Sequence, residues 1–348
     1  IAVVNMNNPD VLRYTYDVLN FWVDPNRDGK FDDGVDGFRF DHMMDDLDNF
    51  HVISNLFSDF WTPLVQDLKR TNPDIKIIAE QANWFSLGHE YFNHAEVDRV
   101  FAFHLSWAIE KLDKEELIKA ADSTLTRNPA GKDQIVFIEN HDTRRIASVQ
   151  GMTTEKLKAA AALNLLLGGV PLIYYGQELG MTGKQQKGST DGNDIPIREA
   201  FEWYANTEGP GMAFWYKNTG SWWDSKNVRP NDLISLEEQQ GDPGSLFNHY
   251  KNIMAIRKSS EALANGAYRL AENDQDDFFS FIRYTREETV LVVLSLSDVP
   301  KSVNVKIDPE QKFKTAGSLL DKELRKLSDN QLVLELPPYG VQVFKLHE

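Results

Sequence analysis

The sequence has 348 residues, of which 41% are hydrophobic and 26% are charged, and its formal net charge at pH 7 is −16. This size predicts a large core in two domains, or in a barrel with an appended domain. The negative charge argues against a nucleic-acid partner, because phosphate binding needs basic patches. The absence of cysteine excludes disulfides and zinc–thiolate sites. No apolar run approaches the ~20 residues of a membrane span.

The first predicted helix begins near Pro9 and ends near Trp22, because apolar residues recur there at helical spacing. The next segment carries oxygen-bearing side chains at alternate positions and a glycine at the sixth, as at the start of a calcium-binding EF-hand loop. The predicted calcium ligands are Asp24, Asn26, Asp28, the backbone carbonyl of Lys30, and Asp32. Position twelve is Val35 instead of the bidentate glutamate, so an acidic turn without a metal remains the alternative.

Five short apolar segments are predicted as strands, and helices are predicted between and after them. The strands cover residues 35–41, 75–80, 99–105, 134–139 and 172–175, and the helices cover 47–70, 114–121, 154–167 and 245–259. Strands that alternate with helices indicate a parallel sheet or barrel, whose catalytic groups gather at the carboxyl ends of the strands. Asp41, Glu80 and Asp142 stand at or just beyond three of these ends, so we expect them to converge.

The hydrophobic period changes from helical to alternating at about residue 262. Segments 279–284, 289–296, 302–307, 332–336 and 341–346 read as strands separated by short turns. They predict a small antiparallel β-domain without catalytic acids. The expected domains are therefore a catalytic unit over 1–261 and a β-sandwich over 262–348.

Two carboxylates on neighbouring strands permit hydrolysis of a glycosidic bond by double displacement. Asp41 suits the nucleophile, because Arg39 two residues earlier lies on the same face and favours the charged carboxylate. Glu80 follows three apolar residues, which would raise its pKa toward use as a general acid. Asp142, preceded by His141, could orient sugar hydroxyls and stabilise positive charge. The alternative for each acid alone is a helix cap or a salt-bridge partner.

At these residues the sequence resembles the α-amylase family, glycoside hydrolase family 13. The matching segments are GFRFD at 37–41, Glu80 with Trp84, FIENHD at 137–142, GVPLIYYGQE at 169–178 and GNDIPIR at 192–198. The resemblance implies that Asp41 is the nucleophile, Glu80 the acid/base and Asp142 the stabiliser of the transition state. It also implies substrate contacts from Arg39, His141, Trp84 and Arg145.

The resemblance implies a (β/α)8-type barrel that lacks its first three strands and its inserted domain, followed by an antiparallel β-sandwich. The expected substrate is an α-1,4-linked, starch-type glucan or malto-oligosaccharide, and the expected cofactor is Ca²⁺. Five strands cannot close an eight-stranded barrel. We therefore expect either a missing N-terminal half that completes it or self-association, and we expect an exported bacterial protein, secreted or periplasmic.

The sequence departs from the family where a lysine–histidine pair commonly follows the nucleophile, since Met44 and Asp45 stand there. An α-glucosidase or cyclodextrin hydrolase acting on short oligosaccharides remains an alternative, as does a catalytically silent glucan-binding relative. The loop over 176–242 is rich in aromatic residues that could stack on sugars or pack the loop. These residues are Trp203, Tyr204, Phe214, Trp215, Tyr216, Trp222 and Trp223.

Overall fold

A computed structural model describes residues 4–81, 83–188, 191–213, 217–218, 227–307 and 312–348. The chain forms two compact units. Unit 1 comprises Ile1–His104 and Arg127–Ile135, and unit 2 comprises Leu105–Thr126 and Val136–Glu348. The predicted division between residues 261 and 262 stays a prediction.

Unit 1 is built on a parallel sheet whose strands follow chain order. The strands are β1 (Gly37–Met43), β2 (Lys76–Gln81), β3 (Arg99–Phe101) and β4 (Asp133–Val136). The helices are α1 (Pro9–Val23), α2 (Thr62–Thr71), which continues a π-helical turn over Phe57–Trp61, and α3 (His89–His94). Phe38 and Phe40 of β1 pack on the core of this unit. Arg39 and Asp41, which alternate with them, therefore point away from that core.

Before its C-terminal part, unit 2 contains the remaining α-helices and the short strand β5 (Val170–Pro171). The helices are α4 (Phe103–Lys111, whose first two residues belong to unit 1), α5 (Lys114–Leu125), α6 (Thr154–Leu166), α7 (Leu236–Gln239), α8 (Leu246–Lys258) and α9 (Glu261–Asn265). Every residue of α6 from Ala159 onward is buried. Just after β5, the backbone N–H of Leu172 donates to the carbonyl of Val136, 2.8 Å away.

The C-terminal part of unit 2 is a β-sandwich of two antiparallel sheets. Its strands are β6 (Ala267–Leu270), β7 (Glu272–Asn273), β8 (Phe278–Tyr284), β9 (Thr289–Ser295), β10 (Lys301–Lys306), β11 (Thr315–Ser318), β12 (Leu324–Lys326), β13 (Gln331–Leu336) and β14 (Val341–His347). One sheet has the order β12-β11-β14-β9-β8-β6 and the other β13-β10-β7. Side chains of both sheets, such as Phe278, Leu291 and Val303, share one buried core.

Several predicted elements are wrong in their extent, among them the strand predicted over 134–139, which ends at residue 136, and the helix predicted over 114–121, which continues to residue 125. The helix expected over 47–70 begins only at Phe57, because the Asp45, Asp46 and Asp48 carboxylates accept backbone N–H bonds in the preceding segment and stabilise turns there. The strand expected over 99–105 ends at residue 101, and α4 follows. The fifth strand lies at 170–171 instead of 172–175.

No helix in the described part of the chain is both long enough and apolar enough to cross a membrane.

Strand β1 lies at the edge of the sheet, and within the described residues it pairs only with β2. Beside it lies an apolar groove of about 510 Å³, lined by Val11, Tyr14, Leu19, Phe40, Phe60 and Trp61, among others. The Tyr14 side chain is 70% exposed. An open strand edge next to an apolar surface favours association with another chain.

We therefore predict that the 348-residue chain, produced alone, self-associates. The Tyr14→Lys variant should associate less, because it places a charge in the groove, whereas Leu324→Lys on the sandwich should not change association. Light scattering over a concentration series measures the effect. A monodisperse monomer that unfolds cooperatively would show that this edge needs no cover.

Candidate active site

Arg39 joins the two predicted reacting carboxylates in unit 1. Its Nη1 donates to Asp41, and its Nη2 lies 2.8 Å from Oε2 of Glu80. The guanidinium also lies 5.9 Å from the ring centre of Phe101, on β3. One cation therefore contacts residues of β1, β2 and β3, and it balances part of the charge of both acids.

A β-bulge places the two acids in different surroundings. Phe40 pairs with Ala79 and Met43 pairs with Gln81, so β1 has one residue more than β2 in this interval. His42 takes a left-handed backbone conformation, with φ of 48°, and its N–H donates to Glu80 Oε2 at 3.2 Å. The Asp41 side chain is 73% exposed, whereas that of Glu80 is only 5% exposed.

The surroundings of Asp41 favour its charged form. Partial burial raises the pKa of Asp41, but the hydrogen bond and charge of Arg39, together with a hydrogen bond to Glu80, outweigh this and hold that pKa below its usual range. Asp41 is therefore an ionised, accessible carboxylate at neutral pH. These are the properties that a nucleophile needs.

Hydrogen bonds from neighbouring side chains hold the ends of β1 and β2. Tyr91 donates its hydroxyl to the carbonyl of Met43 at 2.6 Å. Gln81, which is fully buried, accepts the N–H of Phe101 at 3.1 Å and donates to the carbonyl of the same residue. The reacting acids thus stand on a part of the sheet whose buried polar groups are paired.

Trp84, Met44 and Asp45 also belong to unit 1. The Trp84 ring is 38% exposed and stacks on Phe103, with ring centres 5.3 Å apart. Met44 and Asp45, which replace the family's usual pair, hold the chain locally. The Met44 carbonyl accepts from Trp61 Nε1 at 2.8 Å, and Asp45 Oδ1 accepts the N–H of Phe57 at 2.8 Å.

In unit 2, both His141 and Arg198 contact the carboxylate of Asp142. His141 Nε2 lies 3.0 Å from one oxygen of Asp142, and Arg198 Nη2 lies 2.9 Å from the other. Arg198 Nε also donates to the carbonyl of His141 at 2.8 Å. The sequence indicated no role for Arg198 itself, although its segment 192–198 carries part of the family resemblance.

Arg145 does not have the exposure expected of a substrate-binding residue. Its side chain is fully buried, with Nη1 2.7 Å from Glu139 Oε1, and its guanidinium lies 4.1 Å from the ring centre of Tyr174. Burial raises the pKa of Glu139, and the charge of Arg145 counters part of that effect. This burial favours a role for Arg145 in stabilising the turn after β4 from within, and substrate contact by Arg145 stays a prediction.

The structure thus brings together Arg39, Asp41 and Glu80 in unit 1, and His141 and Asp142 in unit 2. The convergence of all three acids and the expected carboxyl separation of about 5–5.5 Å between Asp41 and Glu80 stay predictions.

The predicted calcium loop is closed by its own hydrogen bonds. Asp24 Oδ2 accepts the N–H of Gly29 at 2.9 Å, and Asp28 Oδ1 accepts that of Lys30 at 2.9 Å. The Lys30 ammonium lies 3.7 Å from Asp28 Oδ2. In the described part of the chain, no group of three His, Asp or Glu side chains is arranged to hold a metal ion. The loop offers oxygens suited to calcium, and in this structure they accept hydrogen bonds from the loop backbone.

The aromatic loop is only partly described. Trp203 is 46% exposed and lies against Phe201, with ring centres 4.4 Å apart. Tyr204 donates its hydroxyl to the carbonyl of Pro210 at 3.1 Å. The other members of this aromatic group, Phe214, Trp215, Tyr216, Trp222 and Trp223, lie outside the described residues. Sugar contact by the loop stays a prediction.

Comparison with known proteins gives one consistent result. The family described as "Alpha amylase, catalytic domain" matches residues 2–266. "Alpha-amylase 3" of Dictyoglomus thermophilum is 25% identical, over 99% of this chain and 63% of its own length. "Cyclomaltodextrinase" of Geobacillus thermopakistaniensis is 25% identical, over 98% of this chain and 49% of its own length.

A solved alpha-amylase from H. orenii has the same fold, with a TM-score of 0.78 at 23% identity, covering 99% of this chain and 66% of that protein. The predicted fold class is thus confirmed: a parallel α/β sheet of the barrel type, here not closed within the described residues, followed by an antiparallel sandwich. The chain spans about half to two thirds of the length of these relatives.

Proposed function

Because the chain belongs to the family of the alpha-amylase catalytic domain, we propose that it carries the reacting groups of a retaining glycoside hydrolase that cleaves α-1,4-glucosidic bonds of starch-type glucans. The observation that carries the proposal is the pairing of Asp41 and Glu80 with one guanidinium, that of Arg39. A pair of carboxyl groups in different surroundings is what the double-displacement mechanism requires.

In this mechanism, the ionised Asp41 attacks the anomeric carbon of the sugar and forms a covalent glycosyl–enzyme. Glu80 begins this step protonated and gives its proton to the departing glycosidic oxygen, and the contact with Arg39 stabilises the carboxylate that forms. Glu80 then takes a proton from water, which attacks the same carbon and releases Asp41. Two displacements at one carbon restore its starting configuration, so the product is expected to keep the α-anomeric form.

The remaining residues of the proposal bind and orient the sugar. His141 and Asp142 would contact its hydroxyls, and Asp142 would stabilise the positive charge that develops at the transition state. The half-exposed ring of Trp84 would contact an apolar sugar face. Arg39 would position both reacting acids, whereas Arg145 would stabilise the turn that carries His141 and Asp142.

Short or cyclic malto-oligosaccharides are a second candidate for the preferred substrate. The relative named a cyclomaltodextrinase matches almost the whole chain. Met44 and Asp45 also differ from the family pattern on the leaving-group side. Hydrolysis of short or cyclic malto-oligosaccharides, as by an α-glucosidase or cyclodextrin hydrolase, is therefore the alternative substrate preference.

We propose two further properties of the chain. Its open sheet edge would be covered by a segment that completes the barrel, or by a second copy of this chain. Its location would be outside the cytoplasm of a bacterium, which cell fractionation would test.

We predict that Asp41→Asn abolishes hydrolysis, lowering the rate of reducing-sugar release from starch by about 10³-fold or more, because an amide cannot act as the nucleophile. The fold should be retained, since the side chain is largely exposed. The matched control is Asp36→Asn, which changes another exposed aspartate just before β1. Proton NMR of the first product identifies its anomeric form.

Full activity of Asp41→Asn, or a β-anomeric product, would refute the retaining mechanism. Absence of hydrolysis in the parent chain, together with binding to insoluble starch, would instead favour the catalytically silent, glucan-binding alternative.

We also propose that Asp24, Asn26, Asp28, the Lys30 carbonyl and Asp32 bind Ca²⁺. Three carboxylates, one amide and one carbonyl supply the hard oxygens that calcium prefers. Binding would require the loop to turn these oxygens toward one point. The bound ion would stabilise the loop after α1, and it would take no part in the chemical steps.

If the loop binds calcium, saturating Ca²⁺ should raise the melting temperature by roughly 5 °C, and a chelator should reverse this, because the ion stabilises only the folded loop. Asp28→Asn should reduce the shift. Asp33→Asn, which alters the neighbouring acid outside the proposed ligand set, should leave it unchanged. Equal melting temperatures with calcium and with chelator would eliminate the site.

A further inference from the structure

Glu202 is a buried carboxyl group that the proposed reaction does not use. It belongs to unit 2, four residues after Arg198, and it is only 1% exposed. Its Oε1 atom is buried and has no hydrogen-bond partner in the described part of the chain. An ionised carboxylate is costly in such surroundings, because burial disfavours the charge and no donor compensates this atom. The position therefore favours the protonated, neutral acid.

The charged groups around Glu202 also favour its protonated form. Those that act on it are Asp232, Glu199, Glu238 and Lys217. Burial and the charges of the three acids raise the pKa of Glu202 to about 8, although the charge of Lys217 acts in the opposite direction. The pKa of Asp232 is also raised, by burial and by the charge of Glu238, against the effects of the Ile234 N–H and of Arg229.

Backbone hydrogen bonds join the segment 202–205 to the segment 231–238, which carries Asp232 and Glu238. These bonds run from the Leu236 N–H to the Glu202 carbonyl at 2.9 Å, from the Glu237 N–H to the Trp203 carbonyl at 3.1 Å, and from the Asn231 N–H to the Ala205 carbonyl at 2.6 Å. Separation of the two segments would break them. It would therefore expose the donating amides to exchange with solvent.

The segment 231–238 is strained beside Asp232. Asn231 and Leu233, its two neighbours, have φ of 56° and 70°, a left-handed conformation that is uncommon for leucine. Leu233 is 74% exposed, so burial of its side chain does not hold this conformation. Its N–H donates to Glu238 Oε1 at 3.1 Å, and its carbonyl accepts from Gln239 Nε2 at 2.9 Å. The turn therefore depends on polar contacts, which charge repulsion can disrupt.

A cavity of about 660 Å³ borders this strained turn. Asp232, Leu233 and Glu238 line it. Among the described residues, its charged lining is entirely acidic. The cavity gives the turn room to move, and it offers a path for water to an acid that becomes ionised.

We propose that Glu202 is a pH-sensitive latch, whose protonated carboxyl group keeps the segment 202–205 on the segment 231–238 and whose ionisation separates them. The carboxylate repels Asp232 and Glu238, and the strained turn moves to admit water. The stabilisation that the protonated group provides is complete below about pH 4.5, the ordinary pKa of glutamate, and it is lost as the pH rises through about 8. The latch is thus closed at neutral pH and opens in mild alkali.

The latch stands on the segment that carries Arg198, which contacts Asp142. The hydroxyl of Tyr175 donates to the carbonyl of Glu199 at 2.6 Å, so this segment is held between that contact and Glu202. Opening of the latch frees one end of the segment and loosens the contact of Arg198 with Asp142. This consequence for hydrolysis rests on the proposed function, whereas the latch itself does not.

Hydrogen exchange of the full chain, followed by mass spectrometry at about pH 5 and about pH 9, tests the latch. In the parent, the protection of the amides of 231–238, corrected for the intrinsic exchange rate, should fall about tenfold or more between the two pH values. Glu202→Gln keeps a neutral side chain of the same shape, so its protection should change by less than about twofold. The matched control Glu208→Gln alters an exposed glutamate of the same loop and should behave like the parent.

A second variant, Asp232→Asn, removes a like charge beside Glu202 but keeps an acceptor for the Ile234 N–H, which lies 3.2 Å from Asp232 Oδ1. It should reduce the fall in protection, and it decides the matter if circular dichroism shows that Glu202→Gln does not fold. Constant protection in the parent, or an undiminished fall in a folded Glu202→Gln or in Asp232→Asn, would overturn the proposal.

Starch hydrolysis separates the latch from the proposed function. The ratio of the rate of Glu202→Gln to that of the parent should rise between about pH 5 and about pH 9, because titration of Glu80 affects both chains alike. A constant ratio rejects the link to Arg198. Absence of hydrolysis at every pH rejects the proposed function, and a fall in protection that depends on Glu202 then still supports the latch.

Discussion

The shared contact of Arg39 with Asp41 and Glu80 is the interaction on which the proposed chemistry of unit 1 depends. Glu80 is almost completely buried, and a buried carboxylate without a cation is costly, by several kcal/mol. The same guanidinium favours the charged form of the exposed Asp41. One residue thereby permits two carboxyl groups to stand close together in different surroundings, which like-charge repulsion would otherwise oppose.

Part of this arrangement could be predicted from the sequence. The two-residue period of a strand places Arg39 and Asp41 on one face, and the structure shows their contact. The β-bulge could not be predicted, because it is a property of the register between β1 and β2. The bulge also brings the N–H of His42 to Glu80, a contact that the sequence did not indicate. The burial of Glu80, in contrast, agrees with the three apolar residues that precede it. The hydrophobic pattern indicated the sandwich well, because buried and exposed side chains alternate along strands such as β13.

Two arginines near Asp142, in the turn after β4 and in the segment 192–198, show a second limit of prediction from the sequence. Arg145 follows Asp142 by three residues, and Arg198 ends the resemblance segment 192–198, yet the surroundings of the two arginines differ completely. Arg145 is enclosed between Glu139 and aromatic rings, whereas Arg198 is partly exposed and contacts Asp142 directly. Burial is decided by tertiary packing, so residue type and position in the sequence could not separate a supporting arginine from one that contacts the proposed catalytic acid.

The most direct measurement of the central claim is the titration of the Asp41 carboxyl, followed by carbon-13 NMR, in the parent chain and in Arg39→Met. The parent should show a pKa of Asp41 below the ordinary aspartate range, and Arg39→Met should raise it, because the hydrogen bond and the charge are both lost. Arg13→Met, which removes an exposed arginine of α1, is the control and should leave the titration unchanged. An Asp41 pKa that is the same in the parent and in Arg39→Met would contradict the account.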